Sequence, residues 1–242
     1  VKERIVIIPT YNEIENIEAV IRAVMGLSIE FHAMIVDDGS PDGTGDKVRE
    51  LQTEFPNQIL LEERKEKSGL GTAYIHGFKK CLVLGYEYIF EMDADFSHNP
   101  KDLVYLYEAC AEKGGDMAIG SRYVTGVNVV NWPMSRVMLS YFASHYVRMI
   151  TGMPIADTTA GFKCYSRKVL EKIDLDKIRF VGYAFQIEMK FTAWKYGFKL
   201  VEVPIIFTDR TKGKSKMSKN IIREAVFGVL QMKIASWFRK FD

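Results

Sequence analysis

Apolar residues in this chain come in short bursts separated by polar stretches that contain Gly or Pro. Residues 4–9 are nearly all apolar and β-branched and close on Pro9, the pattern of a strand buried on both faces. Asn12 is placed to cap a following helix, with Glu15 as its capping-box partner. Ile14, Ile17, Ile21 and Val24 then fall on one helical face. Further strands are predicted at 33–36, 59–61, 88–92 and 116–119. Helices are predicted through Val48, Leu51 and Phe55, from Gly69 to Leu84, and after Pro100. Strand and helix alternate through this half, so the expected class is α/β, with a largely parallel central sheet flanked by helices.

The second half has a different rhythm. Residues 133–151 read as a helix rich in Met, Tyr and Phe, 158–162 as a loop and 163–165 as a short strand. A helix is predicted at 183–196, a strand at 200–207 and a long amphipathic helix at 218–241. No repeat or linker interrupts the chain. The expected organisation is one catalytic domain over 1–217, followed by a C-terminal amphipathic helix over 218–242.

Composition narrows the class. The 242 residues are 48% apolar and 26% charged, with 15 Phe and 12 Tyr, which excludes disorder and permits a sizeable core. Cys81, Cys110 and Cys164 are far apart and odd in number, so neither a disulfide framework nor a zinc site is expected, and a reducing, cytoplasmic setting is. No run reaches the roughly 18 apolar residues of a membrane span. Val1-Lys2-Glu3-Arg4 leads into a strand without the apolar region of a secretory signal. The net charge of +2 hides an asymmetry: residues 208–242 carry nine Lys/Arg against three Asp/Glu, and the rest carries 24 against 28. A basic end suits an anionic partner such as phosphate or a membrane surface, although a solvated tail has the same composition. No aromatic-interleaved basic platform accompanies it, so nucleic acid is not expected.

In parallel sheets, ligands sit beyond the carboxyl ends of the strands. Pro9-Thr10-Tyr11, Asp37-Asp38 and Asp93-Ala94-Asp95 all fall at such ends. Asp93 and Asp95 can share one hard divalent cation, which takes one or two carboxylates and completes its shell with phosphate oxygens. A turn with two solvated acids is the plainer reading of an isolated D-x-D, and here the strand-end position favours the metal. Asp38 is read as a nucleobase or ribose acceptor, and Asp37 as packed on the scaffold beside an Asx turn and helix start at 40–42. Neither G-x-G-x-x-G after the first strand nor G-x-x-x-x-G-K-[ST] occurs, which argues against a dinucleotide enzyme and a P-loop NTPase. Gly69-Leu70-Gly71 is read as a tight turn at a helix start. Arg122 follows the fifth strand, and Arg210-x-x-Gly213-Lys214-Ser215-Lys216 forms a basic, Gly-containing loop suited to anions. His98 is read as capping the next turn, and His76 and His145 as structural.

Six blocks occur in order. They are Pro9-Thr10-Tyr11-Asn12-Glu13, Asp37 to Thr44, Gly69 to Gly77, Asp93-Ala94-Asp95-Phe96-Ser97-His98, Gly120-Ser121-Arg122-Tyr123, and Arg210-x-x-Gly213-x-Ser215-Lys216. This series resembles the dolichol-phosphate (polyprenol-phosphate) mannose synthases of glycosyltransferase family 2 over roughly residues 4–220. The first and fourth blocks are shared by many glycosyltransferases; Ser40 to Thr44, Gly69 to Gly77 and the basic loop are more particular to the polyprenol-phosphate branch. The resemblance implies a GT-A fold, GDP-mannose as donor, a polyprenyl phosphate acceptor, Mg²⁺ or Mn²⁺, and inversion at the anomeric carbon. By position it implies that Pro9, Tyr11, Glu13, Val36 and Asp38 hold the guanosine and that Asp93 and Ala94 contact the donor. Asp95 would ligate metal together with Asp93. Some relatives carry Gln where this chain has Ser97, a shorter and weaker ligand. Arg122, Arg210 and Lys216 would bind the donor diphosphate and acceptor phosphate. Asp157 is read as a carboxylate facing the acceptor, with a cap or loop brace as the alternative.

The resemblance is to a short form without transmembrane helices, acting from the cytoplasmic face of a membrane or through a small membrane-anchoring partner. The 218–241 helix sets Ile221, Val229, Ile234, Trp237 and Phe238 beside Arg223, Lys233, Arg239 and Lys240. That composition suits a headgroup boundary, and packing on the sheet or a dimer seam gives the same stripe. Two rival functions remain: a GT-A enzyme using a UDP-sugar donor or a saccharide acceptor, and a catalytically silent GT-A module serving as a regulatory or membrane-binding subunit.

Overall fold

The computed structural model describes residues 2–209, 219–239 and 241. Strands β1 (Arg4–Thr10), β2 (His32–Asp37), β3 (Ile59–Glu63), β4 (Tyr88–Glu91) and β5 (Met117–Ser121) alternate with α1 (Ile17–Met25), α2 (Thr44–Glu54), α3 (Leu70–Leu84) and α4 (Asp102–Ala111). Then follow β6 (Val129–Val130), α5 (Met134–Thr151), β7 (Lys163–Ser166), α6 (Arg167–Lys172), α7 (Tyr183–Lys195), β8 (Leu200–Pro204), β9 (Phe207–Thr208) and α8 (Lys219–Phe238). Seven strands form one sheet in the order β3-β2-β1-β4-β7-β5-β8, and β6 pairs with β9 in a small ribbon. Within the large sheet only β7 runs antiparallel to its neighbours. The expected α/β, largely parallel architecture is therefore present.

Alternation along β1 explains why its run is apolar throughout. Ile5 and Ile7 point into a cluster closed by α3, α6 and α7, while Val6 and Ile8 point into one closed by α1, α2 and α4. Covering both faces leaves no solvent side for polar residues. Val147 of α5 and Val229 and Met232 of α8 join the first cluster. The expected division at 217/218 falls outside the described residues.

Several expectations need correction. Helix α1 starts at Ile17, and Asn12 has φ 58°, a left-handed conformation that Asn tolerates and a helix cap does not use. The amides of Asn12, Glu13 and Ile14 instead donate to Ser40 Oγ, Thr44 Oγ1 and Asp42 Oδ2, at 2.9, 3.0 and 3.1 Å. Ile14 is exposed as a result. The 163–165 strand exists, yet it inserts antiparallel between β4 and β5. The 200–207 strand breaks at Ile205-Ile206, so that Phe207 and Thr208 leave the main sheet for the ribbon with β6.

Candidate active site

The sheet order reverses at β1, with β2 on one side and β4 on the other, and in open α/β sheets ligands bind beyond the strand ends at such a point. The β2 side is built around two adjacent acids with different tasks. Asp37 is buried and accepts from Thr10 Oγ1 (2.7 Å), the Ser40 amide (2.8 Å) and Ser40 Oγ (2.6 Å), so it braces the loop. Asp38 Oδ1 accepts from Arg64 Nε at 2.6 Å, and Arg64 Nη1 reaches Thr72 Oγ1 at 2.9 Å. Arg64 ties the β2 end to the start of α3, an element not foreseen from the sequence because it sits inside a solvated charge run. Lys67 lies over the Tyr11 ring at 4.6 Å. Pro9 pairs with Val36 across β1 and β2, and the Val36 side chain is fully buried in the core. Glu13 Oε2 accepts from Asn16 Nδ2 at 3.1 Å.

The Gly69-Leu70-Gly71 turn is structural, as expected. A Cβ on Gly71 would stand 2.9 Å from the Phe180 carbonyl oxygen and the Phe185 ring.

Beyond β4, Ala94 and Asp95 are buried, and the turn passes through Phe96 at φ 58°. A bulky residue rarely adopts that conformation, and such strain costs about 1–3 kcal/mol. It brings the Ser97 amide to 3.0 Å from Asp95 Oδ1, which also accepts from the Ser97 hydroxyl. As a donor the hydroxyl keeps its lone pairs for a cation. The donors offered here, Asp93, Asp95 and Ser97, are all oxygen. Among the described residues no three His, Cys, Asp or Glu side chains group as a metal site. A cation held here would complete its shell with other oxygens, which fits Mg²⁺ or Mn²⁺ beside a phosphate.

His98 does not cap the next turn. Its ring is buried, stacks on Phe162 at 4.8 Å, meets Phe207 edge-on at 5.3 Å, and accepts the Asp93 amide at Nδ1 over 3.4 Å. Burial lowers its pKa to about 4, with Asp95 opposing the shift, so the ring is neutral at pH 7.

Arg122 follows β5 on the same rim and is buried with Asp157. Its Nε and Nη2 donate to the two Asp157 oxygens, each at 2.6 Å, and its amide donates to Oδ2 at 3.0 Å. Nη2 also reaches Thr159 Oγ1 at 2.8 Å. Burial alone would push the Asp157 carboxyl up; Arg122 outweighs it and holds the group below the usual carboxylate range. The Tyr123, Trp132 and Phe207 rings lie 5.2–5.6 Å from the guanidinium. Arg136 stacks on the same Trp132 at 4.1 Å and pairs with Asp209 at 2.8 Å. Arg210 and Lys216 lie outside the described residues.

Within the sheet, where β7 pairs with β4, Lys163 pairs with Glu91 at 3.1 Å, and Tyr165 donates to Glu91 Oε1 at 2.7 Å. Lys190 donates to the Ala160 carbonyl at 2.5 Å. Burial pushes both lysines down, and for Lys190 the nearby Lys163 adds to the shift. The Tyr74 phenol is raised by burial, then by Asp93, Glu91 and Asp95. The parallel strands β1, β2, β4 and β5 place Asp38, Asp93, Asp95, Ser97 and Arg122 beyond their carboxyl ends on one rim, with Asp157 held against Arg122.

Residues 5–174 match the profile of glycosyl transferase family 2. The chain is 48% identical to the polyprenol monophosphomannose synthase of Mycolicibacterium smegmatis over 233 residues, 96% of this chain and 86% of that one. It is 45% identical to the undecaprenyl-phosphate mannosyltransferase of Micrococcus luteus over 230 residues, 95% of this chain and 93% of that one. A mannosyltransferase from Pyrobaculum calidifontis, solved with GDP-Man and Mn²⁺, superposes with a TM-score of 0.60 at 18% identity, covering 99% of this chain and 65% of that one. The fold is thus of the GT-A type, and with a family match across most of its length and two close relatives spanning nearly all of it, the chain belongs to glycosyl transferase family 2.

Proposed function

We propose that this chain transfers mannose from GDP-mannose to a polyprenyl monophosphate with inversion, giving polyprenyl-phosphate mannose. One observation carries the reading: nearly the whole chain is 48% and 45% identical to two enzymes whose names specify a polyprenyl phosphate and mannose. The site supports it. Pro9, Tyr11, Glu13 and Asp38 form the nucleoside end, with Val36 buried in the core behind them, and Asp93, Ala94, Asp95 and Ser97 form the diphosphate end. Mg²⁺ or Mn²⁺, when bound by Asp93, Asp95 and Ser97, would neutralise charge on the diphosphate.

The nucleophile is an acceptor phosphate oxygen; its bond to C1 forms as the bond from C1 to the GDP oxygen breaks. With a second pKa of about 6, by analogy with phosphorylated side chains, that phosphate is already ionised at neutral pH. A general base is therefore unnecessary, in keeping with an Asp157 whose oxygens both accept from Arg122. Asp157 acts by aiming Arg122, and Arg122, with Arg210 and Lys216, offsets phosphate charge in the transition state. Arg136 stacks on the Trp132 ring that also lies near Arg122, with its charge paired to Asp209.

A lipid acceptor requires contact with a bilayer. No helix among the described residues is long and apolar enough to cross a membrane. Helix α5 exposes Met134, Met138, Leu139, Tyr141, Phe142 and Met149 and contains no acidic residue. Helix α8 exposes Phe227, Leu230, Ile234, Trp237 and Phe238, and Tyr146 links the two helices by donating to the Val226 carbonyl at 3.0 Å. Apolar area beside Arg148 and Lys233 suits the surface of an anionic leaflet or a small membrane-anchoring partner.

Purified protein offered labelled GDP-mannose, UDP-glucose and UDP-N-acetylglucosamine, each with polyprenyl phosphate and Mg²⁺ or Mn²⁺, tests the reading. Label should enter lipid from GDP-mannose alone. Transfer only from a UDP-sugar would overturn the donor assignment, and GDP binding without any turnover would make the chain a silent module.

A further inference from the structure

We infer that Glu202, on β8, is a positioning residue for the transfer reaction, acting on Arg122 through the backbone of the Asp157 loop; this rests on the function proposed above. The strand Leu200-Val201-Glu202-Val203 is otherwise apolar, with Leu200 packed against one core cluster and Val201 and Val203 against the other. Glu202 therefore occupies the face of the strand that Leu200 gives to the core, where an apolar side chain is expected. A carboxylate is held there because it has specific work: Oε2 accepts the Ala156 amide at 2.6 Å and Oε1 the Asp157 amide at 2.9 Å. One carboxylate thus grips two successive amides.

The grip is passed on directly. Asp157, whose amide Glu202 holds, gives both carboxylate oxygens to Arg122. Arg122 follows β5, the strand paired with β8, and Glu202 stands in register with Ile119, three residues before Arg122. The loop is pinned from its far side as well, where Lys190 of α7 holds the Ala160 carbonyl at 2.5 Å. The Asp157 loop is therefore fixed between β8 and α7, and the Arg122 guanidinium inherits its direction from that loop. Glu202 makes no contact that requires it to meet substrate. Its effect is geometric: rotate the 156–157 amides and the Arg122 fork turns away from the position that phosphate charge must occupy, and small misplacements of a positioning group lower turnover by large factors.

The test uses Glu202→Gln in the full chain. The amide keeps one acceptor oxygen and turns an NH₂ toward the other backbone N–H, so one bond is lost while the side-chain volume is kept. Turnover should fall tenfold or more, with the GDP-mannose KM within twofold of wild type. In an Arg122→Lys background the same change should lower turnover by less than twofold further, because the fork it aims is gone; a purely structural role would lower turnover tenfold again. Two readouts need no activity. The Arg122 Nε–H resonance, identified by its absence in Arg122→Lys, should shift in Glu202→Gln, and in wild type the Ala156 and Asp157 amides should exchange slowly with solvent. Exchange at open-loop rates in wild type, an unmoved Nε–H resonance, or multiplying losses in the double variant would overturn the assignment, even if Glu202→Gln failed to fold. A wild-type protein with slow amides but no mannosyl transfer would instead count against the proposed function and leave the clamp standing.

Discussion

Replacing Asp157 by alanine should destabilise the protein severely, because it leaves a buried guanidinium without its carboxylate. Asp157 is 0% and Arg122 6% exposed, and three donors of Arg122 converge on the two Asp157 oxygens. Removing one partner of a buried ion pair costs about 3–5 kcal/mol, since the surviving charge keeps its desolvation penalty. For a chain of this size one kcal/mol shifts Tm by about 2–4 °C, so the drop should be roughly 6–20 °C. Calorimetry on Asp157→Ala reads it directly. The double variant Asp157→Leu/Arg122→Met should recover most of the loss while remaining inactive, because hydrophobic isosteres relieve the buried charge. Acid titration gives a second reading. The carboxyl of Asp157 is held below its ordinary range when folded, so its contribution is complete above the unfolded value of about 3.9 and is lost as pH falls through the lower folded value. Asp157→Asn should lack that acid-side loss. A Tm within 2–3 °C of wild type for Asp157→Ala, at about 1 kcal/mol by the same scale, would refute the reasoning.

Asp95→Ala should cut turnover at least 100-fold, of the order lost when a preorganised charge-stabilising group is removed, while the protein stays folded at a cost of about 1–3 kcal/mol for the Ser97 amide left unpaired; near-normal turnover at low Mg²⁺ would remove Asp95 from the metal site. Gly71→Ala should destabilise by about 1–3 kcal/mol in urea unfolding, because its Cβ meets the Phe180 carbonyl and the Phe185 ring at 2.9 Å; an unchanged midpoint would show that α3 can shift at its start. Trp237→Glu/Phe238→Glu, at positions 70% and 85% exposed, should leave Tm unchanged and reduce co-sedimentation with anionic vesicles several-fold; undiminished binding would place the membrane face elsewhere.

The central sheet was legible because burial on both faces writes itself locally: β1 and β2 are continuous apolar runs, and no tertiary knowledge is needed to see them. Where the reading failed, a longer-range contact decided the outcome. Asn12 has the composition of a helix cap, yet the 40–44 loop takes the amides of residues 12–14 and delays α1 to Ile17. The direction of β7 is set by its neighbours β4 and β5, and nothing in Lys163-Cys164-Tyr165-Ser166 records it. The break between β8 and β9 follows from pairing with β6, two residues long and too short to carry a period.

The site divides along the same line. Residues proposed to face ligand lie at strand ends, where a buried run stops and polar residues begin, so Asp38, Asp93 and Asp95 stood out from the pattern, and Arg122 from its place after the fifth strand together with the family resemblance. Residues that hold them in place come from distant parts of the chain, because a charge taken out of water needs a partner wherever the fold supplies one. Arg64 meets Asp38 from 26 positions away, Asp157 meets Arg122 from 35, and Glu202 meets Asp157 from 45. Two of the three left some trace in the sequence: Asp157 stood beside a Gly-Phe loop with two readings open, and Glu202 interrupts an apolar strand. An acid on the core-facing side of a strand is expensive unless backbone or cationic donors meet it, so such an interruption points to a partner still to be found. In this chain those donors are the Ala156 and Asp157 amides, and the Asp157 carboxylate carries the connection on to the Arg122 guanidinium.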